Sequence, residues 1–184
     1  MGEFTRIYKT DLSDRQLMGF WSMLQAAGRD RAVSYCMAPM DGAGFCRWMR
    51  KDDIHPWIIL FRGDPCGMFF LTDRQGKSAQ CHFCTLPMGT KRTGGKIPAV
   101  VGFGLYALGA ALWERNVSGG FLLDTIIGMT PVCNREAVKF IHKLGAKDCG
   151  IVPGACWYYD TGENVPGLVT VYTRETLPEW TAKL

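Results

Sequence analysis

The sequence lacks several features that would place it in a specialised class of protein. No segment reaches the roughly 18 to 20 apolar residues that a membrane-spanning helix requires, and no internal repeat or low-complexity stretch is present. The first six residues include an acid and no apolar signal core, so we expect a soluble, cytoplasmic protein. Charged residues make up only 21% of the chain and hydrophobic residues 47%, which excludes a mostly disordered protein.

The excess of positive charge is small. Lysine and arginine number 21 against 17 aspartates and glutamates, a formal net charge of +4. This balance favours an anionic ligand but is too weak to predict a nucleic-acid-binding protein. A length of 184 residues suits one domain, so we expect residues 1–184 to fold as a single domain with a sizeable core.

The eight cysteines do not form a recognisable disulfide or zinc pattern. Disulfide frameworks belong mainly to short secreted chains, and this chain is neither short nor visibly exported. Cys81 and Cys84 form one Cys-x-x-Cys pair without a second pair at zinc-finger spacing. The pair lies in a strand-like segment, where residues three apart point to opposite faces. The sequence therefore favours reduced, buried thiols and no metal, with zinc at Cys81 and Cys84 as the weaker alternative.

Apolar periodicity and turn residues predict a mixed sheet with helices on both faces, of mostly antiparallel strands, in the order β-α-α-β-β-β-α-β-α-β-β. Ser13 and Gln16 form a capping box that opens a helix ending at Gly28, with Leu12 and Leu17 as its hydrophobic staple. The other predicted helices run from about Asp41 to Arg50, from Pro98 to about Asn116, and from the cap Asn134 to Gly145. The predicted strands cover 4–8, 57–61, 67–71, 79–86, 121–127, 147–151 and 168–173.

The segment Pro87–Lys96 is the most informative part of the sequence. It follows a predicted strand, precedes a helix, and combines glycines with Lys91, Arg92 and Lys96. Free N–H groups at a helix start, with basic side chains nearby, bind anions. The segment has neither the Gly-Lys-Ser/Thr ending of a Walker loop nor a GxGxxG motif. It predicts an anion site of another kind, and a solvated basic loop is the alternative.

Two segments resemble the GCN5-related N-acetyltransferase (GNAT) family. In Gly128–Gly145, Asn134 is followed three residues later by Ala137 and then by an amphipathic helix ending Leu144-Gly145. The family has such an Asn-x-x-Ala helix in the second half of its acyl-CoA site. The loop Lys91–Lys96 partly matches the family's Arg/Gln-x-x-Gly-x-Gly/Ala motif, with Lys96 in place of the last small residue. The element order agrees over nearly the whole chain.

The resemblance implies acetyl-CoA as the cofactor. It implies that the end of strand 79–86, at Leu86, pairs with the pantetheine arm, and that Asn134 and Phe140 approach the same arm. It further implies that the loop holds the pyrophosphate, through Lys91, Arg92, Thr93, Gly94, Gly95 and Lys96. Asn134 also has a purely structural interpretation, because asparagine is a favoured helix cap.

The chain departs from the family at the residue that assists the leaving group. Many members carry a tyrosine seven residues after the asparagine, and this chain has Ile141 there. An isoleucine cannot donate a proton, so another residue must do so if transfer occurs.

Three residues are the catalytic candidates, each with a structural alternative. His82 lies in the strand before the loop and suits a general base, or is simply a strand histidine. Asp124 interrupts an apolar strand, so it must be functional or paired. Tyr158, with Tyr159 beside it, lies between the last two predicted strands and is a candidate for protonating the thiolate, or packs as an aromatic.

The sequence leads to two hypotheses of different classes. The first is an acyl-CoA-dependent N-acyltransferase that acts on a primary amine by direct transfer in a ternary complex. The second, motivated by Ile141, is a binding or structural protein that keeps the fold without turnover, as in some phage-encoded proteins that resemble the family. Acceptor specificity is expected from the first two helices and from the connection Val152–Gly167. Six tryptophans and nine methionines leave room for a homodimer interface.

Overall fold

The structure is a computed structural model that describes residues 3–94 and 96–183. Its helices and strands follow one another as β1 (Phe4–Tyr8), α1 (Asp14–Ala26), α2 (Asp30–Ser34), α3 (Gly42–Met49), β2 (His55–Phe61), β3 (Asp64–Gln75), β4 (Ser78–Thr85), β5 (Arg92–Thr93), β6 (Ile97–Pro98), α4 (Ala99–Leu112), β7 (Thr125–Pro131), α5 (Arg135–Lys143), β8 (Lys147–Tyr158) and β9 (Glu163–Tyr172). Short 3₁₀ turns lie at Lys9–Asp11 and Glu179–Lys183.

Seven strands form one sheet in the order β1-β2-β3-β4-β7-β9-β8, and β5 and β6 form a separate two-stranded hairpin. The pairs β1–β2, β2–β3, β7–β9 and β8–β9 are antiparallel, whereas β4 and β7 are parallel. A parallel pair needs a crossover connection, and α4 supplies it. The predicted fold class, a mostly antiparallel mixed sheet surrounded by helices, is confirmed.

The chain forms two compact units, and the first comprises residues 1–72 and 82–103. Helices α1 and α3 cover one face of its sheet because each has an apolar side. Trp21 stacks on Phe45 with ring centroids 4.8 Å apart, and Trp48 meets Phe70 of β3 edge-on at 5.0 Å. The predicted capping box of Ser13 and Gln16 is present at the start of α1, and Asp41 accepts a hydrogen bond from the Gly44 N–H at the start of α3.

The other face of the first unit carries aromatic residues that contact the start of α4. Phe83 of β4 lies 5.2 Å from Phe69 and 6.3 Å from Phe103 between ring centroids. Gly67 permits this close packing, because a Cβ there would lie 2.5 Å from the Cys84 carbonyl oxygen and 2.9 Å from the Phe103 ring.

The second unit comprises residues 73–81 and 104–184. Its strands are the first half of β4, then β7, β9 and β8, and α5 packs against α4 at Gly104, where a Cβ would lie 2.5 Å from Leu144. Asn134 caps α5, as predicted, because its Oδ1 accepts from the Ala137 N–H at 3.1 Å.

Several predicted boundaries were wrong. Pro98 lies in β6 rather than in the helix, which ends at Leu112, four residues before Asn116. The strand predicted at 121–127 is β7, which begins at Thr125, so Asp124 precedes the strand instead of interrupting it. The connection predicted at Val152–Gly167 is mostly the hairpin of β8 and β9, with only residues 159–162 between the strands.

Within the described ranges, no helix is both long enough and apolar enough to cross a membrane.

Candidate functional site

Strand β4 leads directly into the segment predicted to bind an anion. Its pairing with β7 consists of four residue pairs, from Ser78 with Thr125 to Cys81 with Gly128. The second half of β4 continues to Thr85, and the Leu86 N–H then donates to the Cys66 carbonyl at 2.9 Å. Leu86 is buried in the core under α1 and α3. The strand therefore ends on a fixed backbone position, from which the loop begins.

The loop is ordered by hydrogen bonds of its own. The Lys91 N–H donates to the Met88 carbonyl, and the Lys96 N–H donates to the Thr93 carbonyl. The Arg92 guanidinium donates to the Lys96 carbonyl at 2.6 Å, so it clamps the β5–β6 hairpin. The side chains of Lys91, Arg92 and Lys96 are exposed, which leaves three cationic groups at the loop surface. Gly95 lies outside the described residues.

A carboxylate occupies the turn of this hairpin. Glu3 Oε2 accepts hydrogen bonds from Thr93 Oγ1 at 2.7 Å and from the Gly94 N–H at 2.9 Å. Its other oxygen accepts from the guanidinium of Arg62, with Nε at 2.9 Å. These donors lower the pKa of Glu3 to about 2, with the Thr93 hydroxyl as the largest cause. Sequence reasoning missed Glu3, because no local pattern signals a contact across 90 residues.

His82 is fixed by two neighbours in the second half of β4. Its ring stacks on Phe70 at 4.5 Å with an interplanar angle of 9°, and its Nε2 lies 3.0 Å from Thr72 Oγ1. It is half-buried, at the edge of the aromatic group that includes Trp48. The imidazole is thus oriented by stacking on Phe70 and by the contact with the Thr72 hydroxyl.

The residue at the family's tyrosine position is part of the core. Ile141 lies on the inner side of α5 and is 5% exposed. Phe140, the preceding residue, reaches α4 instead, since a Cβ on Gly104 would lie 2.9 Å from its ring. Asn134 is exposed at the start of the same helix, with its Oδ1 used by the cap.

Tyr158 lies close to the turn that precedes Asn134. It is the last residue of β8, not part of a connecting segment, and its hydroxyl is 3.8 Å from the Cys133 thiol, one residue before Asn134. Partial burial, and secondly the Cys133 contact, raise the pKa of Tyr158 to about 12. The Tyr158 hydroxyl therefore keeps its proton at neutral pH.

Asp124 is held by two cations. Its Oδ1 accepts from Arg174 Nη2 at 2.5 Å, and its Oδ2 lies 3.5 Å from Lys77 Nζ. Arg174 also donates to the carbonyls of Leu112 and Leu123. The Arg174 hydrogen bond is the largest cause of the lowered pKa of Asp124. Asp124 is therefore an ion-paired carboxylate, which is the structural alternative to a catalytic role.

The two cysteines of the Cys-x-x-Cys pair have different surroundings. Cys84 belongs to the core under α1 and α3, where its Sγ lies 3.6 Å from the Arg29 carbonyl. Burial raises the pKa of both Cys81 and Cys84 to about 12, so both thiols are protonated. Among residues 3–94 and 96–183, no group of three or more His, Cys, Asp or Glu side chains is placed to hold a metal ion.

The fold is shared with solved acetyltransferases. No protein-family model and no curated protein matches the sequence. A mutant of the spermidine N-acetyltransferase SpeG from Vibrio cholerae superposes with a TM-score of 0.65 at 12% identity, over 97% of this chain and 99% of that one. The N-acetyltransferase PseH from Campylobacter jejuni gives 0.59 at 8% identity, over 94% and 99%. The chain therefore has the GNAT fold over nearly its whole length, as the two sequence segments predicted.

Proposed function

We propose that the protein is an acyl-CoA-dependent N-acyltransferase that transfers an acetyl group from acetyl-CoA to a primary amine. The observation that carries the proposal is the carboxylate of Glu3 on the loop between β4 and α4. A hydroxyl at 2.7 Å and an N–H at 2.9 Å hold that carboxylate, so the loop is built to accept an anion. The GNAT fold supports the same proposal, because the sequence resemblance implies that this loop corresponds to the family's pyrophosphate motif.

The donors on the loop fit the charge of the cofactor. The side chains of Lys91, Arg92 and Lys96 are exposed around a turn whose backbone already binds an anion. We assign the pyrophosphate to these three residues together with Thr93, Gly94 and Gly95. When bound, acetyl-CoA supplies an acyl group on a thioester, whose transfer to an amine releases a thiol. For the pantetheine arm we propose Leu86, Asn134 and Phe140. Asn134 uses its Oδ1 to cap α5, and its side-chain NH₂ would donate to the arm.

His82 is the base in this proposal. The amine nitrogen must lose a proton as the new N–C bond forms, and His82 accepts it directly or through a water molecule. Stacking on Phe70 and the contact with Thr72 Oγ1 orient the ring, which lowers the entropic cost of proton transfer.

Tyr158 is the acid in this proposal, in place of the tyrosine that Ile141 replaces. The C–S bond breaks toward a thiolate, and the Tyr158 hydroxyl donates its proton to that sulfur. The hydroxyl is protonated at neutral pH, as a general acid must be before the transfer. The hydroxyl lies 3.8 Å from the side chain of Cys133, the neighbour of Asn134, which the resemblance places at the pantetheine.

The buried Ile141 favours one second candidate, a GNAT-fold protein that binds CoA without turnover. Ile141 is 5% exposed and packs in the core, and its side chain has no group that could transfer a proton. In that case Tyr158 and Cys133 simply pack against each other. Both candidates predict that the protein binds CoA, but only the first predicts that CoA is released from acetyl-CoA when an amine is added.

The test begins with calorimetric titration of acetyl-CoA and free CoA. We expect micromolar binding, weakened by replacing Lys91 and Lys96 together with methionine, whereas Lys147→Met, an exposed lysine of β8, leaves it unchanged. CoA release is then measured against a panel of primary amines. The panel includes spermidine, because one neighbour is named for it. Absence of binding at millimolar concentration contradicts the proposal, and binding without release from any amine supports the second candidate.

A further inference from the structure

Glu3 connects the start of β1 to the turn of the β5–β6 hairpin. One carboxylate oxygen accepts from Thr93 Oγ1 and the Gly94 N–H, while the other accepts from Arg62. The Glu3 side chain is only 26% exposed, so these contacts are partly shielded from water. The Arg92 guanidinium and the Lys96 N–H donate to carbonyls within the loop, whereas Thr93 Oγ1 and the Gly94 N–H donate to Glu3.

Arg62 is itself arranged to receive this carboxylate. It occupies the left-handed region with φ +55°, followed by Gly63 with φ +90°, as in a tight hairpin turn between β2 and β3. Its N–H donates to the Glu3 carbonyl at 2.6 Å, and its guanidinium lies 4.9 Å from the Phe61 ring centroid. The guanidinium therefore has a contact, with the Phe61 ring, that does not involve the loop.

A carboxylate and a phosphate compete for the same donors. Both are anions that accept hydrogen bonds from N–H and O–H groups, and both prefer donors at the turn of a loop. A phosphate placed on Thr93 and Gly94 would stand next to the Glu3 charge and would repel it. The Glu3 carboxylate and a ligand phosphate therefore cannot both form strong hydrogen bonds with Thr93 and Gly94.

We propose that Glu3 is an internal competitor for the anionic group of the ligand at Thr93 and Gly94. A ligand phosphate binds these two donors only when the Glu3 carboxylate leaves them and stays paired with Arg62. The inference rests on the proposed function in that the ligand is taken to be CoA. As a consequence, Glu3, which lies outside the loop, lowers the affinity of the loop for the phosphate groups of the ligand.

Two substitutions separate competition from simple tethering. Glu3→Gln removes the charge and keeps the shape, so we expect CoA and inorganic pyrophosphate to bind about tenfold more tightly, the size of one charge-assisted hydrogen bond. Arg62→Gln removes the alternative partner of the carboxylate, which then stays on the loop, so we expect weaker binding of both ligands. A residue that merely tethers the loop would weaken binding in both variants. Glu175→Gln, at an exposed carboxylate outside this network, is the control.

The measurement is calorimetric titration of the purified full chain with CoA and, separately, with inorganic pyrophosphate, after melting curves show each variant folded. Glu3→Ala repeats the first test if Glu3→Gln does not fold. Equal CoA affinity in wild type and Glu3→Gln overturns the competition and leaves the proposed function standing. If CoA does not bind but Glu3→Gln binds pyrophosphate more tightly, the proposed function is overturned and the competition is supported. Unchanged or weaker pyrophosphate binding in Glu3→Gln also overturns the competition.

Discussion

The guanidinium of Arg174 donates from Nη2 to Asp124 Oδ1 at 2.5 Å and lies 4.1 Å from the ring centroid of Phe121. Its other terminal nitrogen donates to the carbonyls of Leu112 and Leu123, the first at the end of α4 and the second just before β7. One side chain thus satisfies the backbone on both sides of the segment that joins these two elements. This arrangement explains a charged pair beside the apolar run Phe121–Leu123.

We predict that Arg174→Met lowers the stability of the protein more than Asp124→Asn does. The first change leaves two carbonyls without their donor and costs about 2 kcal/mol, since a hydrogen bond to a charged group contributes roughly 1.5–3 kcal/mol. The second keeps those two bonds and removes only the charge of the acid. Urea unfolding of both variants measures the difference. If Asp124→Asn instead abolishes acetyl transfer without changing the unfolding midpoint, Asp124 is catalytic.

Replacement of His82 tests the proposed base. We expect His82→Gln to lower kcat about 10²- to 10⁴-fold with little change in the KM for acetyl-CoA, because general base catalysis contributes that much to a rate. His142→Gln is the control, as His142 lies on the exposed side of α5 against Asp148. Equal activity of the two variants would exclude His82 as the base.

Replacement of Tyr158 tests the proposed acid. The raised pKa of about 12 means that the hydroxyl is protonated across the working range and is lost as a donor only in strong alkali. Tyr158→Phe should therefore lower kcat at every pH from 6 to 9, by about 10²-fold, with CoA affinity unchanged. Tyr159→Phe, at the exposed neighbouring ring, should have no effect. A wild-type rate in Tyr158→Phe would assign proton donation to another group.

Acid stability depends on the Glu3 carboxylate. Its pKa is about 2 in the folded protein and 4.5 in its usual environment. At pH values between these two, the unfolded chain therefore binds a proton that the folded chain does not. The stabilisation is fully present above about pH 5 and is lost as the pH falls toward 2. We expect Glu3→Gln to flatten the decline in unfolding free energy between pH 5 and pH 3, measured by urea titration at each pH. An unchanged slope would mean that the contacts with Thr93 and Arg62 contribute nothing to stability.

Local signals in the sequence predicted the elements whose cause is local. The capping box at Ser13 and the cap at Asn134 formed as expected, because each depends on residues three positions apart. The start of β7 was misplaced because Phe121 and its neighbours are apolar without being a strand. Phe121 is covered by the guanidinium groups of Arg115 and Arg174, at 4.2 and 4.1 Å, a tertiary arrangement that periodicity cannot indicate.

The β8–β9 hairpin and the Glu3 contact were beyond local reasoning for different reasons. Residues 147–151 of β8 were predicted as a strand. Val152, Pro153 and Gly154, which continue it, are all exposed and show no alternation of buried and exposed positions, so the rest of the strand was predicted to be a connection. Glu3 and the loop are distant in sequence and meet only because β1 pairs with β2, whose following turn positions Arg62. Contacts of this kind follow from topology, and a single sequence does not specify them.

Gly67 and Gly19 offer a matched pair for testing how tightly β3 packs. A Cβ on Gly67 would lie 2.5 Å from the Cys84 carbonyl oxygen, which belongs to the neighbouring strand and cannot move away alone, so Gly67→Ala should destabilise the protein by about 2 kcal/mol or more. Gly19 lies on the exposed side of α1 with nothing within 4 Å, so Gly19→Ala should stabilise it by about 0.8–1 kcal/mol. Thermal and urea unfolding of the two variants measures both signs. Because β4 carries His82 and leads into the loop proposed to bind CoA, we also expect Gly67→Ala to weaken CoA binding, whereas Gly19→Ala leaves it unchanged. Wild-type stability in Gly67→Ala would show that β3 and β4 can separate without cost, and that the close approach seen here does not position the loop.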